Sequence, residues 1–360
     1  MFHHVAEIDK TSKANYKEAR IHISSCFNIK LWQKKLEAYH DKHLVNLLTY
    51  GFPLGIKDRD NLKRHVISNH SSATQYPEAI TEYIEKELSE HALLGPFSQP
   101  PHALYHCSPL LTRPKGEHKR RVIVDLSYGD NNSVNGATAK ETYEDVPFTL
   151  QLPTLDHLLG QITSRKDPYL IKADIARAFR NVPIDPRDAI KCGIAHKGSY
   201  FIDKNLVFGA VMGTMFFQRI SSAIKFILEQ ENTVIWSYID DLFAAVEGRE
   251  AQDKFEKMCS TVTDLGLPLN PDKVKSPNKV MDIMGIIVNV TNETLSIPAE
   301  KLRDITDICN SFHEKHTCTK KELQSLLGKL LCVSKIIKPA RGFLNRMLCT
   351  LRVMENTTYL

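Results

Sequence analysis

Two aspartates, Asp240 and Asp241, stand side by side in an otherwise apolar stretch that runs from Val234, Ile235 and Trp236 to Ala244, Ala245 and Val246. The pattern predicts two short strands joined by a turn that carries both carboxylates. Adjacent carboxylates between buried strands repel each other and lose hydration, so they call for a cation or a basic neighbour. A polar Asp-Asp hairpin turn is the plain alternative, since proteins use such turns constantly. A third acid bears on the choice. Asp174 closes the run Tyr169-Leu170-Ile171-Lys172-Ala173-Asp174, 66 positions before Asp240, and reads as the end of a buried strand. Without a partner it would be costly there, and a metal ion shared with Asp240 and Asp241 would supply one.

The elements that must hold these acids alternate between strand and helix. Leu110 and Leu111 lead into Arg113-Pro114-Lys115-Gly116-Glu117-His118-Lys119-Arg120-Arg121, and Val122-Ile123-Val124 leads out. This is a hairpin with five cations against one acid; it suits a loop closing over phosphates, and equally a charged turn kept soluble. Ile194 to Val207 reads as a second hairpin through Lys197-Gly198. Gly209 to Leu228 reads as a helix with Phe216, Phe217, Ile220, Ala223, Ile224 and Ile227 on one face. Pro77 opens an earlier helix with Ile80, Tyr83, Ile84 and Leu88, stopped by Gly95-Pro96. After the acidic hairpin come a helix closed by Gly266 and a strand pair around Met284-Gly285. Two further helices follow, the second starting at Thr319 with Glu322 in capping-box register.

The chain has 360 residues, 42% hydrophobic and 25% charged, which is ordinary for a soluble globular protein. Its net charge of +5 neither proves nor excludes a nucleic-acid partner. From Lys315 to Arg352, however, nine Lys or Arg face one acid, Glu322, which suggests a phosphate-facing surface or a solvated helix face. The eight cysteines form no C-x-x-C pair, and no run approaches the ~20 apolar residues that cross a bilayer. These features predict reduced thiols and an intracellular, cytoplasmic or nuclear protein that is neither secreted nor membrane-bound.

In order, the chain supplies a basic hairpin, Asp174 with Phe179, a glycine-led helix, Tyr238-Ile239-Asp240-Asp241 and a lysine-bearing loop. Over roughly residues 76 to 350 it resembles the reverse transcriptases of retroviruses and long-terminal-repeat retrotransposons. Tyr50-Gly51-Phe52-Pro53-Leu54-Gly55, Gly95-Pro96-Phe97 and Asp125-Leu126-Ser127 with Ser133-Val134-Asn135 look most like the tyrosine-recombinase retrotransposons of the DIRS type. The resemblance implies an α+β right-hand polymerase fold of fingers, palm and thumb, with an antiparallel palm sheet backed by helices. It divides the chain into an N-terminal extension (1–75), fingers (76–134 and 183–212), palm (135–182 and 213–292) and thumb with the start of a connection (293–360). A ribonuclease H domain is expected to be absent.

The activity implied is that of a nucleotidyltransferase, an RNA-directed DNA polymerase adding deoxynucleotides to a primer 3′-hydroxyl. Its partners would be an RNA or DNA template with primer and deoxynucleoside triphosphates; oligomeric state is not legible. Two Mg²⁺ ions, with Mn²⁺ as a substitute, would be held by Asp174, Asp240, Asp241 and the Ile175 carbonyl. The resemblance gives Lys115 and Arg121 to the incoming triphosphate, with Arg113 or Lys119 as other matches for the lysine. It makes Phe179 an aromatic sugar gate, and a core phenylalanine is the alternative. Phe208 and Gly209 would line the nucleotide pocket, and Lys273 would protonate pyrophosphate or else be a solvated surface lysine. Tyr238, Met284, Gly285 and Gln218 are expected at the primer and template.

The chain departs from the family at Val207, usually proline, and in Tyr128-Gly129-Asp130-Asn131-Asn132, which lacks a common proline and basic residue. These departures leave open a catalytically inactive, nucleic-acid-binding remnant of a retrotransposon polyprotein. A two-metal nuclease would not explain a sugar gate. Cys309, His313, His316 and Cys318 could suit zinc by residue type, but their spacing is not that of retroviral zinc knuckles, and Cys309 falls on the apolar face of its helix.

Overall fold

The computed structural model describes residues 21–23, 25–59, 62, 65–116, 119–143, 146–354 and 357–359; Met1–Lys10 and the hairpin-tip residues Glu117 and His118 lie outside them. The chain forms two compact units, one of residues 1–152, 173–242 and 257–274, the other of 153–172, 243–256 and 275–360.

The first unit is organised around the helix Gly213–Gln230. Phe216, Phe217, Ile220, Ala223, Ile224 and Ile227 are all fully buried, as their three-and-four spacing requires. Phe216 packs its ring against Phe52 at 5.0 Å and Tyr143 at 5.2 Å. The helix starts four residues later than the apolar pattern suggests, because Gly209 adopts φ +96° in the loop before it. The N-terminal segment belongs to this unit. Trp32, fully buried, donates its indole N–H to the Leu265 carbonyl (2.9 Å), and Asp41 pairs with Arg219 through two hydrogen bonds of 2.9 and 3.1 Å.

A five-stranded sheet in the same unit has the order His65–Val66, His106–Cys107, Gly193–His196, Ser199–Asp203, Leu93–Phe97. Its first three strands are mutually parallel and the rest antiparallel. Leu93–Phe97 corrects the sequence reading. The helix from Pro77 ends at Ser89, and Gly95-Pro96 lies within an edge strand that pairs with Tyr200–Asp203 through an irregular register. An edge strand tolerates Pro because its missing N–H need not join a ladder. The basic hairpin forms as expected, from Leu110–Lys115 and Lys119–Val124.

In the second unit, Lys275–Asn278 pairs antiparallel with Pro168–Lys172, with Lys275 opposite Lys172 and Asn278 opposite Leu170. Val280–Ile283, Ile286–Asn289 and Thr294–Ser296 make an antiparallel meander. Its first turn is Met284-Gly285, with φ of +55° and +72°, the pattern of a two-residue hairpin loop. The helices Ala299–His313, Lys320–Val333 and Ala340–Val353 follow. The Thr319–Glu322 capping box is present in full. Cys318 is buried with Leu323, Leu327, Leu344 and Met354, whereas Cys309 is only half-buried. Among the described residues every cysteine is a free thiol, and no helix is long and apolar enough to cross a membrane.

Candidate active site

Asp174 ends the strand Pro168–Asp174, which passes into the first unit at Ala173, and Asp240 occupies the turn between Trp236–Tyr238 and Asp241–Glu247. A backbone hydrogen bond from Ile175 N–H to the Asp240 carbonyl, 3.0 Å, welds the strand end to the turn. The spacing of 66 residues in sequence thus closes to neighbouring peptide units, and the three acids predicted to act together occupy one junction.

The opposite wall is the loop after Gly266. Ala176 N–H donates to the Pro268 carbonyl (2.8 Å) and Asn270 N–H to the Asp174 carbonyl (2.8 Å). Through this pairing Asn270 Nδ2 reaches Asp174 Oδ1 at 3.1 Å and Lys273 Nζ reaches Asp174 Oδ2 at 2.9 Å. Asp174 is buried, so both contacts offset its lost hydration. The pKa of Lys273 is raised above its ordinary value, first by its hydrogen bond to Asp174 and then by the charges of Asp174, Asp241 and Asp240. One ammonium therefore feels all three carboxylates.

The turn has a clamp that sequence reasoning missed. Gln218, 8% exposed, accepts from Ile239 N–H through Oε1 (3.0 Å) and donates through Nε2 to the Ser237 carbonyl and hydroxyl (3.2 Å each). Ile239 sits at φ +58°, a conformation unfavourable for a β-branched residue. These bonds, with a further one from Nε2 to the Ser222 hydroxyl (3.3 Å), hold the Gln218 amide against the turn. Gln218→Leu would keep the volume but strand the Ile239 N–H. Its kcat for the activity proposed below is expected to fall roughly 10- to 100-fold, since small misplacements of catalytic groups have that cost. Single-turnover kinetics beside circular dichroism would check this.

Phe179 lies in the short turn Ala178–Asn181, half-buried, with edge-to-face contacts to Phe208 (4.9 Å) and to the buried Phe217 (6.0 Å). Phe208 is 57% exposed. The adjoining loop is held by Asn135, which donates to the Gly209 carbonyl (2.8 Å) and accepts from Val211 N–H (3.0 Å). Asn135 follows a serine-capped short helix start, and that local pattern alone gave no sign of a partner 74 residues away.

Cross-strand pairing in the basic hairpin sets Arg113 opposite Arg121 and Lys115 opposite Lys119. Alternation puts these four on one face, while Arg120 turns to the other, where it donates to Thr112 (2.9 Å) and stacks over Tyr76 at 3.6 Å. Directly opposed like charges destabilise a hairpin. Four cations thus gather on one exposed face of the hairpin. Tyr238 is half-buried on its strand, and Met284-Gly285 lies in the second unit.

The donor set fits hard divalent ions: three carboxylates at one junction, one of them buried, with the Ile175 carbonyl next in the chain. Among the described residues no three Asp, Glu, His or Cys side chains stand in metal-ligand geometry, Asp174 being turned to Lys273 and Asn270.

The fold, with this junction and this hairpin, is that of the right-hand polymerases, of mixed α and β structure with antiparallel sheets. Residues 114–288 match the family model of the reverse transcriptase (RNA-dependent DNA polymerase). Curated relatives include the Gag-Pro-Pol polyproteins of Human T-cell leukemia virus 3, strains 2026ND and Pyl43, 29% and 28% identical over 144 residues. That match covers 39% of this chain and 9% of each polyprotein. The foamy viral protease-reverse transcriptase in complex with an RNA/DNA hybrid superposes with a TM-score of 0.57 at 18% identity, over 99% of this chain and 43% of that one. The same viral protein in complex with dsDNA gives 0.56 at 19% identity, over 98% and 71%.

Proposed function

We propose that the chain is an RNA-directed DNA polymerase, a nucleotidyltransferase that extends a primer 3′-hydroxyl with deoxynucleotides by two-metal phosphoryl transfer. The observation that carries this reading is the junction of Asp174 with Asp240-Asp241 through the Ile175–Asp240 backbone bond. Asp174, Asp240, Asp241 and the Ile175 carbonyl would hold the ions. Two Mg²⁺ ions, or Mn²⁺ in their place, would activate the primer hydroxyl and stabilise the departing pyrophosphate. The chain's own residues supply the rest. Gln218 fixes the turn, Arg121 and Lys115 on the cationic face bind the triphosphate, and Phe179 packs beneath the sugar where a 2′-hydroxyl would clash. Phe208 and Gly209 border that pocket. Lys273, already paired with Asp174, stands ready to donate a proton to pyrophosphate. Tyr238 and Met284-Gly285 contact the primer, and the basic helices Lys320–Val333 and Ala340–Val353 follow the duplex backbone.

Partners would be a primed RNA or DNA template and deoxynucleoside triphosphates; the solved foamy viral relatives hold an RNA/DNA hybrid and dsDNA. The motifs at Tyr50–Gly55, Gly95-Pro96-Phe97 and Ser133-Val134-Asn135 support an origin in a DIRS-type element, inside a cell rather than secreted.

Extension of a DNA primer on an RNA template with Mg²⁺ is expected, and chelation by EDTA should stop it. A chain that binds primed template tightly yet incorporates nothing with Mg²⁺ or Mn²⁺ would instead be a binding remnant. Arg121→Ala is expected to raise the KM for deoxynucleotides about 10-fold or more, the worth of a charge-assisted hydrogen bond or two. An unchanged KM across a titration of dTTP on a poly(rA) template would remove Arg121 from the triphosphate site.

A further inference from the structure

Phe179 is presented by a turn whose backbone is held in an unfavourable state. Arg177, which precedes the turn, sits at φ +54°, in the left-handed region that non-glycine residues seldom occupy. Both arginines of the turn reach into a cluster of carboxylates. Arg177 Nη2 donates to Glu87 Oε2 (2.8 Å), and Arg180 Nε donates to the same oxygen (2.9 Å). Arg180 Nη2 stands 2.5 Å from Asp203 Oδ1, and its Nη1 donates to the Asn205 carbonyl (3.3 Å). Arg177 Nη1 adds a contact of 3.4 Å to Glu90. Glu87 comes from the helix Pro77–Ser89 and Asp203 from the strand Ser199–Asp203, so two separate elements grip one short turn.

Arg180, Glu87 and Asp203 are all buried. Stability alone does not call for such a cluster, because apolar side chains of similar volume would serve as well or better. The directional guanidinium bonds to Glu87, beside the close ion pair of Arg180 with Asp203, instead fix geometry. The geometry they fix is that of the turn carrying Phe179, which lies between the two arginines in the chain and whose ring leans on Phe208 and Phe217.

We propose that Glu87, Arg180 and Asp203, with Arg177, form a positioning network for Phe179 and thereby set how strongly the protein rejects ribonucleotides. This rests on the polymerase reading. None of the four is assigned to substrate, metal or primer. Their effect passes through the aromatic ring.

The test is the ratio of kcat/KM for a deoxynucleotide to that for its ribonucleotide, measured by primer extension with the full chain. Arg177→Gly removes the guanidinium while glycine accepts the backbone φ without strain. Glu87→Gln keeps the shape and halves the bonding capacity. Both variants are expected to melt as folded proteins and to use deoxynucleotides within about 3-fold of wild type, while the ratio falls roughly 10-fold, as a loosened contact group predicts. Arg177→Lys should restore part of it. Should Glu87→Gln fail to fold, Arg177→Gly decides alone.

A ratio within about 2-fold of wild type in folded, active Arg177→Gly would overturn the network's role, if Phe179→Val in parallel lowers the ratio. If Phe179→Val also leaves it unchanged, the gate itself is absent and the inference falls with it. A wild-type chain that extends no primer overturns the polymerase reading, a failure distinct from the other two.

Discussion

Asp240→Asn is expected to lower single-nucleotide incorporation by roughly three orders of magnitude, about 4 kcal/mol of transition-state stabilisation, the scale on which a metal-held charge acts. The substitution is close to isosteric. The bond that welds the turn to the strand end uses the Asp240 main-chain carbonyl and the Ile175 N–H, so it survives the change. Gln218 likewise grips Ile239 and Ser237 through backbone atoms and the Ser237 hydroxyl. What the variant loses is one negative charge at the junction. Rapid-quench measurement of incorporation on an RNA template, beside a thermal melt, separates chemistry from folding. A folded Asp240→Asn protein that keeps activity within about 10-fold of wild type would rule out the metal role of this acid.

Arg180→Met is expected to cost about 3–5 kcal/mol of stability, because it leaves buried Asp203 and Glu87 facing each other without their shared guanidinium. Urea unfolding followed by fluorescence would measure it. The loss should depend on pH in a definite sense. Burial pushes the Asp203 carboxyl up to about 6 from 3.8, even against the pull of Arg180. The native state therefore binds this proton more tightly than the unfolded chain, and its ionisation takes stability away as pH rises through that window. Removing Arg180 lifts the native carboxyl further. The gap between variant and wild type should then be smallest at and below about pH 6 and widen as pH rises above it. A gap independent of pH between 5 and 8 would point to lost packing of the arginine stem instead.

Much of this was legible in the sequence because its signals are local. The acidic hairpin, the basic hairpin, the Thr319 capping box and the Met284-Gly285 turn each declare themselves within about ten residues. The long helix shows in its aromatic and aliphatic spacing, but its start does not, because a loop glycine at 209 looks the same in sequence as a helical one. Gly95-Pro96 has the local look of a breaker yet forms an edge strand, since the partner that makes it one, Tyr200–Asp203, lies about a hundred residues on. The polar network escaped for a related reason. Glu87 sits on an amphipathic helix among other acids, Arg177 and Arg180 flank an aromatic, and nothing in either stretch says that they meet. Gln218 stands out by resemblance, while its bonds to Ser237 and Ile239 join residues about twenty positions apart and leave no mark on the local pattern.

The indole of Trp32 and the carbonyl of Leu265 are 233 residues apart in the chain. Closing so large a loop is slow as well as entropically expensive. At the ~5–20 residues per second of protein synthesis, Trp32 would leave the ribosome roughly ten to fifty seconds before its acceptor exists. During that interval Trp32, Leu44 and Leu48, all fully buried in the finished protein, have no cover from the far side of their core. Newborn chains of this protein are thus expected to dwell on holding chaperones. Their release should track completion of the segment around Gly266 rather than of the earlier hairpins, a timing that ribosome-bound chains arrested at successive lengths would display.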